Sequence, residues 1–156
     1  MASRRAFGNS QPLIDVEARA AQFFGKDDSF YFMTGYLSNS VIIQALEGTF
    51  DLVVADESAH YSAYDAAHLS GRPVFKFISR DPESLDAVLH EQCREGKRPL
   101  VITDGVFPVL GALAPLREYY EILKIYPGSA LVVDDAHALG AVGPTGRGSI
   151  EQAGLP

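Results

Sequence analysis

LVVDDAHALGAVGPTGRG, residues 131–148, decides how the rest of this chain is read. Leu131, Val132 and Val133 form an apolar run without alternation, the pattern of a strand buried on both faces of a sheet. The run ends in Asp134 and Asp135, with His137 just beyond, and passes into a loop holding Gly140, Gly143, Gly146 and Gly148. A pair of carboxylates closing a buried strand asks what sits beyond that strand's carboxyl end.

The pattern recurs upstream. DLVVAD (51–56) stops at Asp56 with His60 shortly after it, and PLVIT (99–103) leads directly to Asp104. PVFKFI (73–78) is another short apolar strand, and SFYFM (29–33) reads as one more. Segments of helical period lie between them. Residues 12–24 place Leu13, Val16, Ala20, Phe23 and Phe24 on one face and stop at Gly25; residues 35–46 end at Gly48; a third helix covers about 61–70. Asp81 as N-cap and Pro82 in the first turn open a fourth, with Leu85, Val88, Leu89 and Cys93 inward. A fifth begins near Pro115, with Leu116, Tyr119, Tyr120 and Leu123 on one stripe. Five strands alternating with helices predict an α/β protein, a three-layer αβα arrangement around a mostly parallel sheet. Residues 1–28 form an N-terminal helical segment in this reading, and residues 29–156 the sheet-bearing part.

Composition narrows the function. At 156 residues and 47% hydrophobic content the chain can bury a real core. Its formal charge is -7, from 13 Lys+Arg against 20 Asp+Glu, and it has no basic run beyond Arg4-Arg5, which argues against a nucleic-acid partner. Cys93 is the single cysteine, so an intramolecular disulfide and a cysteine-based zinc site are excluded, and a reducing cytoplasm is the expected setting. No apolar stretch is long enough to span a bilayer. A P-loop pattern is absent as well.

Parallel sheets bind ligands beyond the carboxyl ends of their strands. Asp56, Asp104 and Asp134 are delivered to one such edge, with His60 and His137 close behind two of them. The ordinary role of an aspartate there is to cap the next turn, yet the group is harder to dismiss than any single member. TGYLSN (34–39) puts Gly35 at the start of a helix, where free backbone N–H groups bind anions without net positive charge. GAVGPTGRG is not a dinucleotide fingerprint, because its glycines come well after the strand and open no visible helix; a shaped surface loop is the expectation. His68 and His90 sit within helical patterns and receive no role. Pyridoxal phosphate (PLP) would use every part of this set: an aspartate for the pyridine nitrogen, an anion site for the phosphate, and a flat side chain for the ring face.

Asp134-Asp135-Ala136-His137 with the glycines through Gly146-Arg147-Gly148, together with Thr34-Gly35-Tyr36-Leu37-Ser38-Asn39, Asp56-Glu57-Ser58-Ala59-His60 and Thr103-Asp104-Gly105-Val106-Phe107, resembles the ordered motifs of the α-oxoamine synthases, PLP-dependent transferases of fold type I within aminotransferase class I/II. The resemblance covers roughly residues 10–156. It implies that residues 29–156 are part of a PLP-binding large domain, whose remainder and small domain lie outside this sequence. It also implies that Asp134 pairs with the pyridine nitrogen, that His137 bonds the phenolic oxygen and that His60 stacks on the ring as the catalytic histidine. Gly35 and Tyr36 then lie at the phosphate end, Asp104 orients the stacking histidine, and Asn39 is a further contact. The implied reaction is condensation of an amino acid with an acyl-CoA by a cytoplasmic homodimer.

Two departures stand out. Many members continue the GVF block with Ser-Met-Asp-Gly, whereas this chain has Pro108-Val109-Leu110-Gly111. The family's Schiff-base lysine lies shortly downstream of the GRG motif, a place that none of Lys26, Lys76, Lys97 and Lys124 occupies. Two rivals follow: a non-catalytic partner of a related chain, and a metal-dependent hydrolase using Asp56, His60, Asp134 and His137.

Overall fold

A computed structural model describes residues 8–156, and the chain divides into two units, one reaching Thr34 and the other running from Gly35 to Pro156. Arg4-Arg5 and the start of the N-terminal segment lie outside the described residues.

In the first unit, Pro12 sits in the opening turn of α1 (Gln11–Phe24), where its missing N–H costs nothing, and Gly25 closes the helix in the left-handed conformation at φ 64°. The Glu17 carboxylate accepts the Tyr31 N–H at 2.8 Å, and the Ser29 hydroxyl donates to the Glu17 carbonyl at 2.7 Å. The expected strand SFYFM does not form. Residues 29–33 are irregular, with Phe30 and Met33 about 70% exposed at 71% and 70%. Aromatic β propensity expresses itself only where a neighbouring strand offers hydrogen bonds and a surface, and among the described residues 29–33 pair with no strand.

The second unit opens with α2 (Gly35–Ala45) and then builds a sheet from β1 (Leu52–Asp56), β2 (Val74–Phe77), β3 (Pro99–Asp104) and, after the short β4 (Val106–Phe107) and β5 (Ala112–Leu113), β6 (Ala130–Asp134). The order is β2-β1-β3-β6, all parallel, so the sheet has four strands instead of five. β4 and β5 make a separate antiparallel pair that sequence reading left as loop. The helices α3 (Tyr61–Leu69), α4 (Pro82–Gln92) and α5 (Leu116–Leu123) connect the strands, and α6 (Ser149–Gln152) follows the glycine loop.

Both faces of the sheet are covered. Leu52 and Val54 of β1 and Val101 of β3 point into a core with Phe77, Leu85, Leu89, Leu116, Tyr119 and Leu123, the side of α4 and α5. The alternate residues Val53, Ala55, Leu100 and Ile102 pack with Ile43, Phe50, Ala63, Ala66 and Ala67, the side of α2 and α3. Two buried faces explain why β1 and β3 lack hydrophobic alternation. The expected Asp81 cap of α4 forms, its carboxylate accepting the Ser84 N–H at 3.0 Å.

Asp51, at the entry to β1, binds the Arg98 guanidinium in a two-pronged pair, each prong at 3.0 Å, and also accepts the Arg98 backbone N–H at 2.9 Å. These bonds lower the Asp51 carboxyl from 3.8 to about 2. A depressed folded value adds stability above the unfolded value that disappears as pH falls through the folded one. Asp51→Asn therefore flattens the pH dependence of urea midpoints between pH 4 and pH 2; an unchanged slope contradicts the pairing.

Gly105 joins β3 to β4 with no room for a side chain: a Cβ there meets Asp135 Oδ1 and the Ser149 hydroxyl inside contact distance. Gly105→Ala is expected to cost about 1–3 kcal/mol by chemical denaturation, whereas a loss within error shows that the β3–β6 corner yields.

Candidate functional site

β3 lies between β1 and β6, so the carboxyl ends of three strands converge. Asp104 and Asp134 are register partners on adjacent strands, and Asp56 ends β1 on the other side of β3. A cavity of about 330 Å³ opens at this edge, lined by Gly35, Tyr36, Ser38, His60, Ser62, Asp104, Asp134, Ala136 and His137. Six of the seven expected site residues line it.

The seventh, Asn39, is 2% exposed and stands directly behind the lining. Its side-chain amide donates to Asp134 Oδ2 at 3.0 Å and to the Ser62 hydroxyl at 2.9 Å. The other Asp134 oxygen accepts the Ala136 N–H at 3.1 Å, so both carboxylate oxygens are oriented. Asp104 reaches His60 through the backbone: its Oδ1 accepts the His60 N–H at 3.1 Å. His60 is the N-cap of α3, and its Nδ1 lies 3.2 Å from the Ser62 N–H and 2.8 Å from the Ser62 hydroxyl.

Asp56 is not a lining residue. It is fully buried, bonded by the Ser58 N–H at 2.9 Å and by the Thr103 hydroxyl at 3.3 Å, the ordinary capping role of a strand-end aspartate. Burial pushes its carboxyl above the usual range, against the opposing Ser58 N–H. Asp104 moves the same way; burial is the main cause, the His60 N–H opposes it, and the Asp134 charge adds to it. Tyr36 edges onto the His60 ring at 6.1 Å between centroids, and its hydroxyl donates to Asp65, a bond that raises the phenol above its normal range.

Three participants received no role from sequence reading, although Asp135 was noted as a strand-end carboxylate. Ser62 carries only the signal of a His-x-Ser spacing at a helix start. Asp135 holds the end of the glycine loop, accepting the Ser149 N–H at 2.8 Å and the Ser149 hydroxyl. Glu151 does the same from the other side, accepting the N–H groups of Thr145 at 3.0 Å and Arg147 at 3.1 Å. The loop does open a helix, contrary to expectation, since Gly148 caps α6 at φ 99°. That helix is one turn long and leaves no periodic signature. His68 and His90 are exposed helix residues away from the cavity.

The donor set fits PLP. One wall offers a carboxylate with both oxygens fixed, another an imidazole, and the amino end of α2 the positive end of a helix dipole. Among the described residues no group of three or more His, Cys, Asp or Glu side chains is arranged to hold a metal ion, which leaves the hydrolase reading without support.

The raised Asp104 carboxyl has a consequence for stability. A carboxyl whose folded value exceeds its unfolded value stabilises fully below the unfolded value and loses that contribution as pH rises through the folded one. Asn at this position can still accept the His60 N–H. Asp104→Asn should therefore gain stability relative to the parent chain as pH rises from below the ordinary carboxyl range to neutrality, followed by urea denaturation; a stability difference that stays flat over that whole rise refutes the burial argument.

Comparison with known proteins shows the family and the fold. The family model for aminotransferase class I and II matches residues 1–153. An 8-amino-7-oxononanoate synthase from Citrifermentans bemidjiense is 39% identical over 154 residues, 99% of this chain and 39% of that protein. A serine palmitoyltransferase from Caulobacter vibrioides is 34% identical over 153 residues, 98% of this chain and 38% of its own length. A solved structure of serine palmitoyltransferase from S. paucimobilis, with bound PLP–myriocin aldimine, superimposes with a TM-score of 0.90 at 34% identity, covering 99% of this chain and 39% of that one. The chain thus spans about two fifths of the length of these relatives. It belongs to the aminotransferase class I and II family and is a homologue of the α-oxoamine synthases.

Proposed function

We propose that this chain is the N-terminal portion of a PLP-dependent α-oxoamine synthase, which condenses an amino acid with an acyl-CoA. Residues 29–156 are then the cofactor-contacting part of its large domain, preceded by the helical segment 1–28. The reading rests on one observation above all: a single cavity collects Asp134, His60, His137 and the amino end of α2 at the carboxyl edge of a parallel sheet. A cytoplasmic homodimer follows from the same reading.

PLP, when bound, supplies an electron sink for a carbanion formed on the amino acid. The protein's part is electrostatic and steric. Asp134, with its oxygens fixed by Asn39 and Ala136, would keep a proton on the pyridine nitrogen. His60 would cover one ring face as the catalytic residue closest to substrate, steadied by Asp104 through its own backbone N–H. His137 would donate to the phenolic oxygen. The N–H groups of Gly35 and Tyr36, aligned with the dipole of α2, would take the phosphate without any cationic side chain.

Titration of the purified chain with PLP, followed by absorbance and by dialysis, tests the cofactor assignment. Saturable, dialysable binding is expected, weakened roughly 10-fold or more by Asp134→Ala, the equivalent of about 1.5–3 kcal/mol for a hydrogen bond to a charged group. Absence of saturable binding, or binding indifferent to both Asp134→Ala and His137→Ala, rejects it.

A further inference from the structure

Four groups join the two sides of the cavity in a line: Asp134 Oδ2, the Asn39 amide, the Ser62 hydroxyl and His60 Nδ1, with separations of 3.0, 2.9 and 2.8 Å. The direction of every bond in this line follows from chemistry. A carboxylate oxygen accepts, so the Asn39 atom facing it is the amide nitrogen. That nitrogen has two hydrogens, one for Asp134 and one for Ser62. The Ser62 oxygen is therefore an acceptor towards Asn39, and its single hydrogen is left for His60 Nδ1.

His60 Nδ1 must then present a lone pair. The backbone gives the same answer independently, because the Ser62 N–H also donates to Nδ1 at the start of α3. The opposite polarity, with Nδ1–H donating to Ser62, would strand two donors at once, the Ser62 hydroxyl and the Ser62 N–H. Ser62 is 1% exposed, so water is not there to receive them.

We propose that Ser62 and Asn39 are positioning residues that hold His60 as the neutral Nε2–H tautomer and tie its ring to the carboxylate of Asp134. Nδ1 is thereby withdrawn from proton transfer and from metal binding. The only polar atom the imidazole can offer a ligand is a donor, Nε2–H, alongside its π face. Movement of Asp134 would reach His60 through two intervening side chains instead of through the backbone. What this does for a bound ring rests on the PLP reading; the tautomer itself does not.

The test is a long-range 1H–15N correlation on the ligand-free chain with labelled histidine, the four histidines being assigned with the help of His60→Gln. A pyridine-type Nδ1 and a pyrrole-type Nε2 are expected for His60. Ser62→Ala should move the Nδ1 resonance further downfield while circular dichroism stays unchanged. Asn39→Asp should produce the same displacement, since its carboxylate would draw the Ser62 hydroxyl away from a histidine that residue 39 does not touch. A protonated Nδ1, or a tautomer mixture, in the parent chain overturns the proposal whether or not either variant folds. A displacement with Ser62→Ala and none with Asn39→Asp removes Asn39 from it. If PLP fails to bind while His60 keeps this tautomer, the cofactor reading falls and the present inference stands.

Discussion

The placement of β3 between β1 and β6 is the constraint on which the chemistry depends. Parallel pairing aligns strand ends, so the register that sets Asp104 opposite Asp134 also fixes where His60, leaving β1, and His137, leaving β6, can reach. A one-residue slip of β6 would exchange its two faces and turn Asp134 away from the edge. Buried faces on both sides hold that register, which is why apolar residues far from the cavity matter to its geometry.

Polar groups at this edge are satisfied in layers. The first layer consists of Asp134, His60 and His137 at the cavity. Asn39 from behind, and Ser62 and Asp104 at the lining itself, orient Asp134 and His60, and Asp135 and Glu151 hold the glycine loop by its own N–H groups. Negative charge accumulates here without a compensating cation among the lining residues. Burial and neighbouring carboxylates together press Asp104 towards its protonated form. The amino end of α2 adds the positive end of a helix dipole to this edge.

Much of this was legible in the sequence, for identifiable reasons. The strands at 52–56 and 99–104 announced themselves because burial on both faces removes alternation, and α4 because Asp81-Pro82 is a start signal with a mechanism. The strand at 130–134 carries the same apolar run although it ends the strand order and is mostly half-buried, contrary to the expectation of burial on both faces. SFYFM misled because aromatic content marks a strand only in the presence of a partner, and the β4–β5 pair was missed because two-residue strands have no period. Among the site residues, those ending strands were legible by position. Ser62 was not, since a serine two residues after a histidine acquires meaning only once the helix is known to begin at Tyr61. Asp135 and Glu151 act through backbone groups that no side-chain pattern records.

The two cores differ in grain. On the side of α4 and α5 the sheet meets Leu, Phe and Tyr, whereas on the side of α3 it meets Ala59, Ala63, Ala66 and Ala67. Large side chains have rotamers to rearrange, and a layer of methyl groups has none. A methylene added among the alanines presses on α3, and His60 caps that helix. The alanine face thus acts as a gauge block, setting the height of the cavity wall by the thickness of a methyl group.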